Sequence, residues 1–273
     1  MEANIPKTLK SLQARGMKAW FAKDCREARH RMLDIISKDA IVGVGDSSTV
    51  RQIEIIKSLK KRGTEVINPF DLKKIVKDDR THLELAFRPM LKATLCDVFL
   101  TGTNAVTQDG RLLNIDGVGN RVAGMIWGHP QVVLAVGKNK IVRNLDEAFD
   151  RVKNMIAPEH LRRRGAPSPC TVAGKCLDCI GRHRVCAVTT IIENKPMFTE
   201  INVILLDEDL GLGWDKSWPK QRINKIAARH QKFMWTISQE VIESLNLRTL
   251  WEEEKKHPPS VSIIRERRKM LDG

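Results

Sequence analysis

The chain has 273 residues, 42% of them hydrophobic, enough for one large globular domain or a main domain with an appendage. No apolar run approaches the length of a membrane span and the amino terminus lacks a signal peptide's unbroken apolar segment, so a cytoplasmic protein with no membrane attachment is expected. The net charge of +14 points to an anionic partner, but with no Tyr and 5% aromatic residues there are few platforms for base stacking, and a small anionic metabolite is favoured over nucleic acid.

Residues 7–15 and 25–37 read as two helices separated by Gly16; in the second, Ala28, Met32, Ile35 and Ile36 recur at helical spacing. Residues 40–44 form a short buried strand that runs into Gly43, Val44, Gly45, Asp46, Ser47, Ser48 and Thr49, and a helix is predicted from about residue 50 to residue 61. Glycines at a strand end followed by hydroxyls at a helix start can bind an anion, because free N–H groups and the positive end of the helix face it. Plain N-capping by Ser47, Ser48 or Thr49 is the alternative. The third glycine of a Rossmann fingerprint is replaced by Ser48 and the Gly-Lys-Ser/Thr ending of a P-loop is missing; no nicotinamide or flavin site is recognised. Residues 64–67 read as the next strand, followed by a turn at Asn68-Pro69, a basic patch (Lys73, Lys74, Lys77, Arg80) and a helix over 81–93, broken near Pro89.

The stretch from 97 to 142 organises the rest. The apolar run Val98, Phe99, Leu100 leads into Thr101, Gly102, Thr103 and Asn104. A turn at Asp109-Gly110 follows, then Asn114, Asp116, Gly117, Gly119 and Asn120, a helix starting near Arg121, a buried strand over 132–136, and Gly137-Lys138-Asn139-Lys140. Strand, glycine- and asparagine-rich loop, helix and strand make a βαβ unit, and open α/β sheets bind ligands at the end where such loops gather. Together with the 43–49 loop, these residues form the candidate ligand site, with cationic help from Arg121, Lys138 or Lys140. Asp116 is the carboxylate best placed for a catalytic role.

An amphipathic helix over 145–156 precedes a second chemical signal. Cys170, Cys176, Cys179 and Cys186 fall within seventeen residues in a loop over 165–187, spaced C-x5-C-x2-C-x6-C. One CxxC with two flanking thiols can converge on a zinc ion or an iron–sulfur cluster, and the spacing does not choose between them. Surrounding arginines and lysines favour thiolates; unliganded thiols are the alternative. Cys25 and Cys96 lie far off and read as small buried residues. Residues 188–192 and 202–206 read as closing strands. In the tail, Ile223, Ile226, Ala227, His230, Met234, Ile237, Val241 and Leu245 recur at helical spacing, the mark of a core or partner face, before a basic arm over 252–273.

The motif order TGTNAVTxDGxLxNIDGxGNRVA over 101–123, with the P-C-x-x-x-G-K-C-x-D-C stretch over 169–179, resembles the LUD domain, the lactate-utilisation family. The resemblance covers roughly residues 5 to 211 and extends more distantly to ribose-5-phosphate isomerases and CoA transferases. It implies a parallel-sheet, three-layer α/β domain over 1–212 with a cysteine-rich loop; the basic helical extension over 213–273, read from its own pattern, lies outside it. It also implies a role in oxidising lactate or a related 2-hydroxy acid, commonly beside iron–sulfur partner subunits. The alternatives are a stand-alone transferase or isomerase acting on a phosphosugar or CoA ester, and a non-catalytic sensing or assembly subunit. Here Asp46 replaces a glycine of the family's first loop, and Thr103, Asn104 and Asn114 stand where the isomerases carry acid–base groups. The extension is the expected contact surface for a protein partner or a second copy.

Overall fold

The computed structural model describes residues 3–71, 89–164, 168–180 and 184–234. In chain order the main elements are α1 (Ile5–Ala14), β1 (Lys18–Ala22), α2 (Cys25–Ile35), β2 (Val42–Val44), α3 (Ser48–Ile53), α4 (Ile55–Lys61), β3 (Val66–Ile67), β4 (Val98–Thr101), β5 (Ala105–Thr107) and β6 (Leu112–Asp116). They continue with α5 (Asn120–Ile126), β7 (Gln131–Gly137), β8 (Ile141–Val142), α6 (Leu145–Arg151), α7 (Ala157–Arg163), α8 (Pro169–Ala173), β9 (Val188–Ile192), β10 (Glu200–Leu206) and α9 (Lys220–Phe233).

Six strands form a wholly parallel sheet in the order β1-β10-β7-β4-β2-β3. One row across it runs Ala19, Val203, Leu134, Thr101. Its central strands are apolar on both faces, as a sheet covered on both sides requires. Val42, Leu100, Val133, Ala135, Ile204 and Leu206 face α2, α3 and α4. On the other face Phe99, Val132, Leu134, Val136, Val203 and Leu205 meet α1, α5 and a second sheet ordered β8-β5-β6-β9. That second sheet is covered in turn by α6 and the residues that follow it, through Ala148, Val152 and Met155. The expected three-layer α/β architecture is present.

The detail departs from the sequence reading in four places. The link between the first two helices holds a strand, β1, whose Ala19, Trp20 and Ala22 pack into the cores on both sides of the sheet. Pairing with β10 outweighs the weak strand propensity of Lys18, Ala19 and Ala22. Residues 105–107 and 112–116, read as loop, are the hairpin of the second sheet. The helix predicted over 50–61 is two helices, hinged at Glu54 in the left-handed conformation (φ 58°). The helix over 145–156 continues to Arg163 through a π-helical stretch, Val152–Ile156, just ahead of Pro158. Proline has no N–H for an unbroken α-helical ladder, and the widened turn absorbs the fault. The basic patch at 73–80, most of the helix over 81–93 and the tail beyond 234 lie outside the described residues. No helix among the described residues is long and apolar enough to cross a membrane.

Candidate functional site

β2 and β4 are hydrogen-bonded neighbours, so the loops that leave them emerge together at the carboxyl ends of the strands. A Cβ on Gly102 would sit 2.6 Å from the Ser47 hydroxyl, so the two loops touch only because this residue has no side chain. Ser47 caps α3 by accepting from the Val50 amide at 3.3 Å. The capping alternative is therefore present in the fold, and α3 is only six residues long.

Arg121, the second residue of α5, is buried and fastens the second loop. Its Nη1 donates to the Gly102 carbonyl at 3.1 Å and to Asn114 Oδ1 at 2.8 Å. Its Nη2 donates to Asn104 Oδ1 at 2.9 Å and to the Ile115 carbonyl at 2.7 Å. Asn104 Oδ1 also accepts from the Ile115 amide. Asp116 accepts the Val118 and Gly119 amides on Oδ1 at 3.0 and 2.8 Å, while its Oδ2 lies 3.5 Å from Arg121 Nε. The geometry makes Arg121, Asn104, Asn114 and Asp116 the frame of the loop.

These loops border a cavity of about 290 Å³, at the lower end of the size range for small-molecule sites. Asp46, Ser47 and Ser48 line it from the first loop, and Gly102, Thr103 and Asn104 from the second. Asp116, Gly117, Asn120 and Arg121 line it beyond β6, and Lys140 reaches it from the turn after β7. Gly43, Gly45, Thr49, Thr101, Asn114 and Gly119 are not on its wall; Thr49 and Asn114 stand behind it as partners of Lys140 and Arg121. Lys138 is also absent from the wall and pairs with Asp207 at 2.9 Å.

Lys140 is buried, and its Nζ donates to Thr49 Oγ1 at 3.0 Å and to the Thr103 carbonyl at 2.9 Å. Burial, reinforced by the nearby Arg121 charge, pulls its pKa from 10.5 down to about 7. The wall is completed by residues that the sequence reading did not select: Arg51, His160, Arg164, His230 and Met234. His160 and His230 meet edge to face, with ring centroids 6.0 Å apart. Burial lowers His160 to about 4, helped by the Arg164 charge, and His230 to about 3, helped by His160, so both rings are neutral at pH 7. His230 Nδ1 lies 3.1 Å from Ser48 Oγ, and its Nε2 is buried with no hydrogen-bond partner among the described residues. Four cationic side chains stand on the wall against two carboxylates, and Asp46 is already held by Arg51 at 2.7 Å.

A family model for the LUD domain matches residues 5–206. The chain belongs to the LUD domain family. A solved structure described as a duf162 family protein, from Deinococcus radiodurans, aligns over 74% of this chain and 95% of that chain, at 14% identity and a TM-score of 0.39. No curated protein matches the chain significantly. The three loops and Lys140 fall within the LUD match, whereas His230, on α9, and Met234, just after it, lie beyond its end. Their only trace in the sequence is a position on the apolar stripe of the tail, where a buried histidine is indistinguishable from a core residue.

The four clustered cysteines of this LUD protein border a second, smaller cavity of about 20 Å³, under α7. The Asp178 amide, with Asp178 at φ 45°, donates to Cys176 Sγ at 3.4 Å, and Arg184 clamps the carbonyls of Cys179 and Cys186 at 3.0 and 3.2 Å. An amide aimed at sulfur and a nearby guanidinium suit a thiolate-ligated centre. Among the described residues no three His, Cys, Asp or Glu side chains are drawn together closely enough to form a metal-binding group. Four thiols beside an amide and a guanidinium are donors of the kind a zinc ion or an iron–sulfur cluster takes, but as placed here they do not form a metal site. Cys25 and Cys96 stand apart from this cluster; Cys96 is buried and Cys25 contacts Glu208 and Arg229.

Proposed function

We propose that the cavity binds a small organic anion and that the protein takes part in the oxidation of lactate or a related 2-hydroxy acid, beside iron–sulfur partner subunits that accept the electrons. The observation that carries this reading is Lys140: a buried amine at the cavity wall, with no carboxylate among its electrostatic partners. An incoming carboxylate would sit beside this amine in the positive potential of the wall arginines, and the unpartnered His230 Nε2 would meet a second polar group of the ligand. Asp46 and Asp116 are both engaged by arginines, so their role is to hold the walls in place and leave the net positive field to the ligand. Membership of the LUD family supports the 2-hydroxy acid as the ligand class. Cys170, Cys176, Cys179 and Cys186 would hold zinc or an iron–sulfur cluster; zinc there would brace the lobe, and a cluster would carry electrons.

Titration calorimetry with L-lactate and with pyruvate tests the reading. One site per chain is expected, lost in Asn104→Ala and in Asp116→Ala while circular dichroism stays unchanged, because each substitution unfastens the loop without touching the sheet. Unaltered affinity in both folded variants would contradict the site.

A further inference from the structure

Lys140 is built into the cavity in a way that suits a free amine better than an ammonium ion. A neutral amine carries two N–H bonds and one lone pair, whereas an ammonium has three N–H bonds to satisfy. The protein offers Nζ two acceptors, the Thr103 carbonyl and the Thr49 hydroxyl, and nothing among the described residues for a third N–H. The amine is also held in place from the side. Gly211, at φ +71°, packs so closely that a Cβ there would lie 2.9 Å from both Cε and Nζ of Lys140 and 2.5 Å from Thr49 Oγ1. The strap that carries Gly211 is itself fixed: its amide donates to Gln52 Oε1 at 2.7 Å, and Asn139 accepts from the Leu210 amide and donates to the Gly213 carbonyl, both at 2.8 Å.

With Thr49 and Thr103 taking the two N–H bonds, the lone pair is the group left for a ligand. In the tautomer in which the Ser48 hydroxyl donates to His230 Nδ1, the buried Nε2 carries the ring hydrogen and can donate to a ligand oxygen. The charged and titratable neighbours on the elements around Lys140 are Arg121 from α5, Arg51 from α3, Asp46 from the β2–α3 loop, Asp116 from β6, His160 from α7 with Arg164 just beyond it, and His230 from α9.

We propose that Lys140 is a nucleophile that condenses with the keto group of a 2-oxo acid held in the cavity. This rests on the small-anion reading and deepens it, since the 2-oxo acid is the oxidised counterpart of a 2-hydroxy acid. The Nζ lone pair forms a bond to C2 as the carbonyl π pair moves onto oxygen. Both amine hydrogens then leave with that oxygen as one water molecule, and the C=N bond of the imine remains. No electrons are gained or lost in the step. The arginines of the wall supply the positive potential for the ligand's carboxylate.

The test is reductive trapping of full-length protein with pyruvate and cyanoborohydride, read by intact mass and peptide mapping, alongside calorimetry of pyruvate and lactate without reductant. The expected result is one carboxyethyl group per chain, mapped to Lys140, absent in Lys140→Arg and Lys140→Met. The trapping rate should rise with pH through about 7, the pKa of the buried amine. A surface lysine holds roughly a thousandfold less free amine at neutral pH, so background labelling should be slow and scattered. Binding of pyruvate with no adduct at Lys140, or with scattered adducts unchanged by Lys140→Arg, overturns the imine and leaves the anion site standing. If neither pyruvate nor lactate binds, both readings fall. Mapping on the wild type alone decides the point should the variants fail to fold.

Discussion

Lys140 and Arg121 are adjacent basic side chains with opposite roles. Arg121 spends its guanidinium on the carbonyls and side-chain oxygens of its own loop, whereas Lys140 meets only a hydroxyl and one carbonyl. The difference has a measurable consequence. In the unfolded chain the Lys140 amine titrates near 10.5, and in the folded protein near 7, so between those values the unfolded state binds the extra proton. Stability then rises with pH across that window. Relative to Lys140→Met, the wild type should gain up to about 1.4 kcal/mol per pH unit between those limits, as urea unfolding at several pH values will show. A flat difference would mean that the amine is not desolvated. The sequence marks both residues as cationic candidates, because each lies among glycines and asparagines at a strand end. It does not separate them, since the distinction depends on which carbonyls each side chain meets after folding. The asparagines are a similar case: Asn104, in the loop after β4, is on the wall, and Asn114, within β6, stands behind it as a partner of Arg121.

At the scale of elements, the strands that line the core are legible because their apolar runs are long and β-branched. The exceptions are instructive. β1 reads as a linker because it is only five residues long and Lys and two Ala dilute the strand signal of Trp20 and Phe21, and its pairing with β10 makes it a strand. The hairpin of β5 and β6 reads as loop because its glycine and asparagine turns dominate a short pattern. α9 matters most for the site. It brings His230 and Met234 to the cavity and is fixed by Arg222, whose Nε and Nη2 each lie 2.7 Å from an Asp209 oxygen, and by Arg229, paired with Glu208 at 2.8 Å. Trp218 stacks beneath the Arg222 guanidinium, 3.6 Å from the ring centroid. Half-exposed pairs of this kind contribute roughly 0.2–1 kcal/mol each. The double variant Arg222→Ala/Arg229→Ala should therefore loosen α9 without unfolding the domain. Hydrogen exchange is expected to quicken in the α9 amides while those of β7 and β10 stay protected, and pyruvate affinity should fall. Equal loss of protection in the central strands would show that α9 is part of the cooperative core.

Across the whole molecule, the cavity lies where an open parallel sheet presents its loops, and the basic character of the chain is focused there by buried cations. The cysteine lobe shares its wall: Val185 and Ala157 border both cavities, and a Cβ on Gly117 would lie 3.0 Å from the Val185 backbone. A change in the lobe therefore reaches the ligand loop through packed atoms. Anaerobic purification followed by an absorption spectrum and metal analysis should find one zinc or one iron–sulfur cluster per chain. Its removal by chelation should weaken pyruvate binding. Metal-free protein with full affinity would separate the lobe from the site. The cysteine spacing is legible in the sequence, but its closeness to the ligand loop is not, because it arises only where Ala157 and Val185 come between the two cavities in the fold.

The central claim is that a small organic anion occupies the cavity between Lys140, Arg121 and His230. A crystal structure of the protein soaked with pyruvate tests it most directly. The expected result is density for one ligand in that cavity, with its carbonyl carbon within bonding reach of, or joined to, Lys140 Nζ. An empty cavity at saturating pyruvate, or a ligand seated elsewhere on the molecule, would contradict the account.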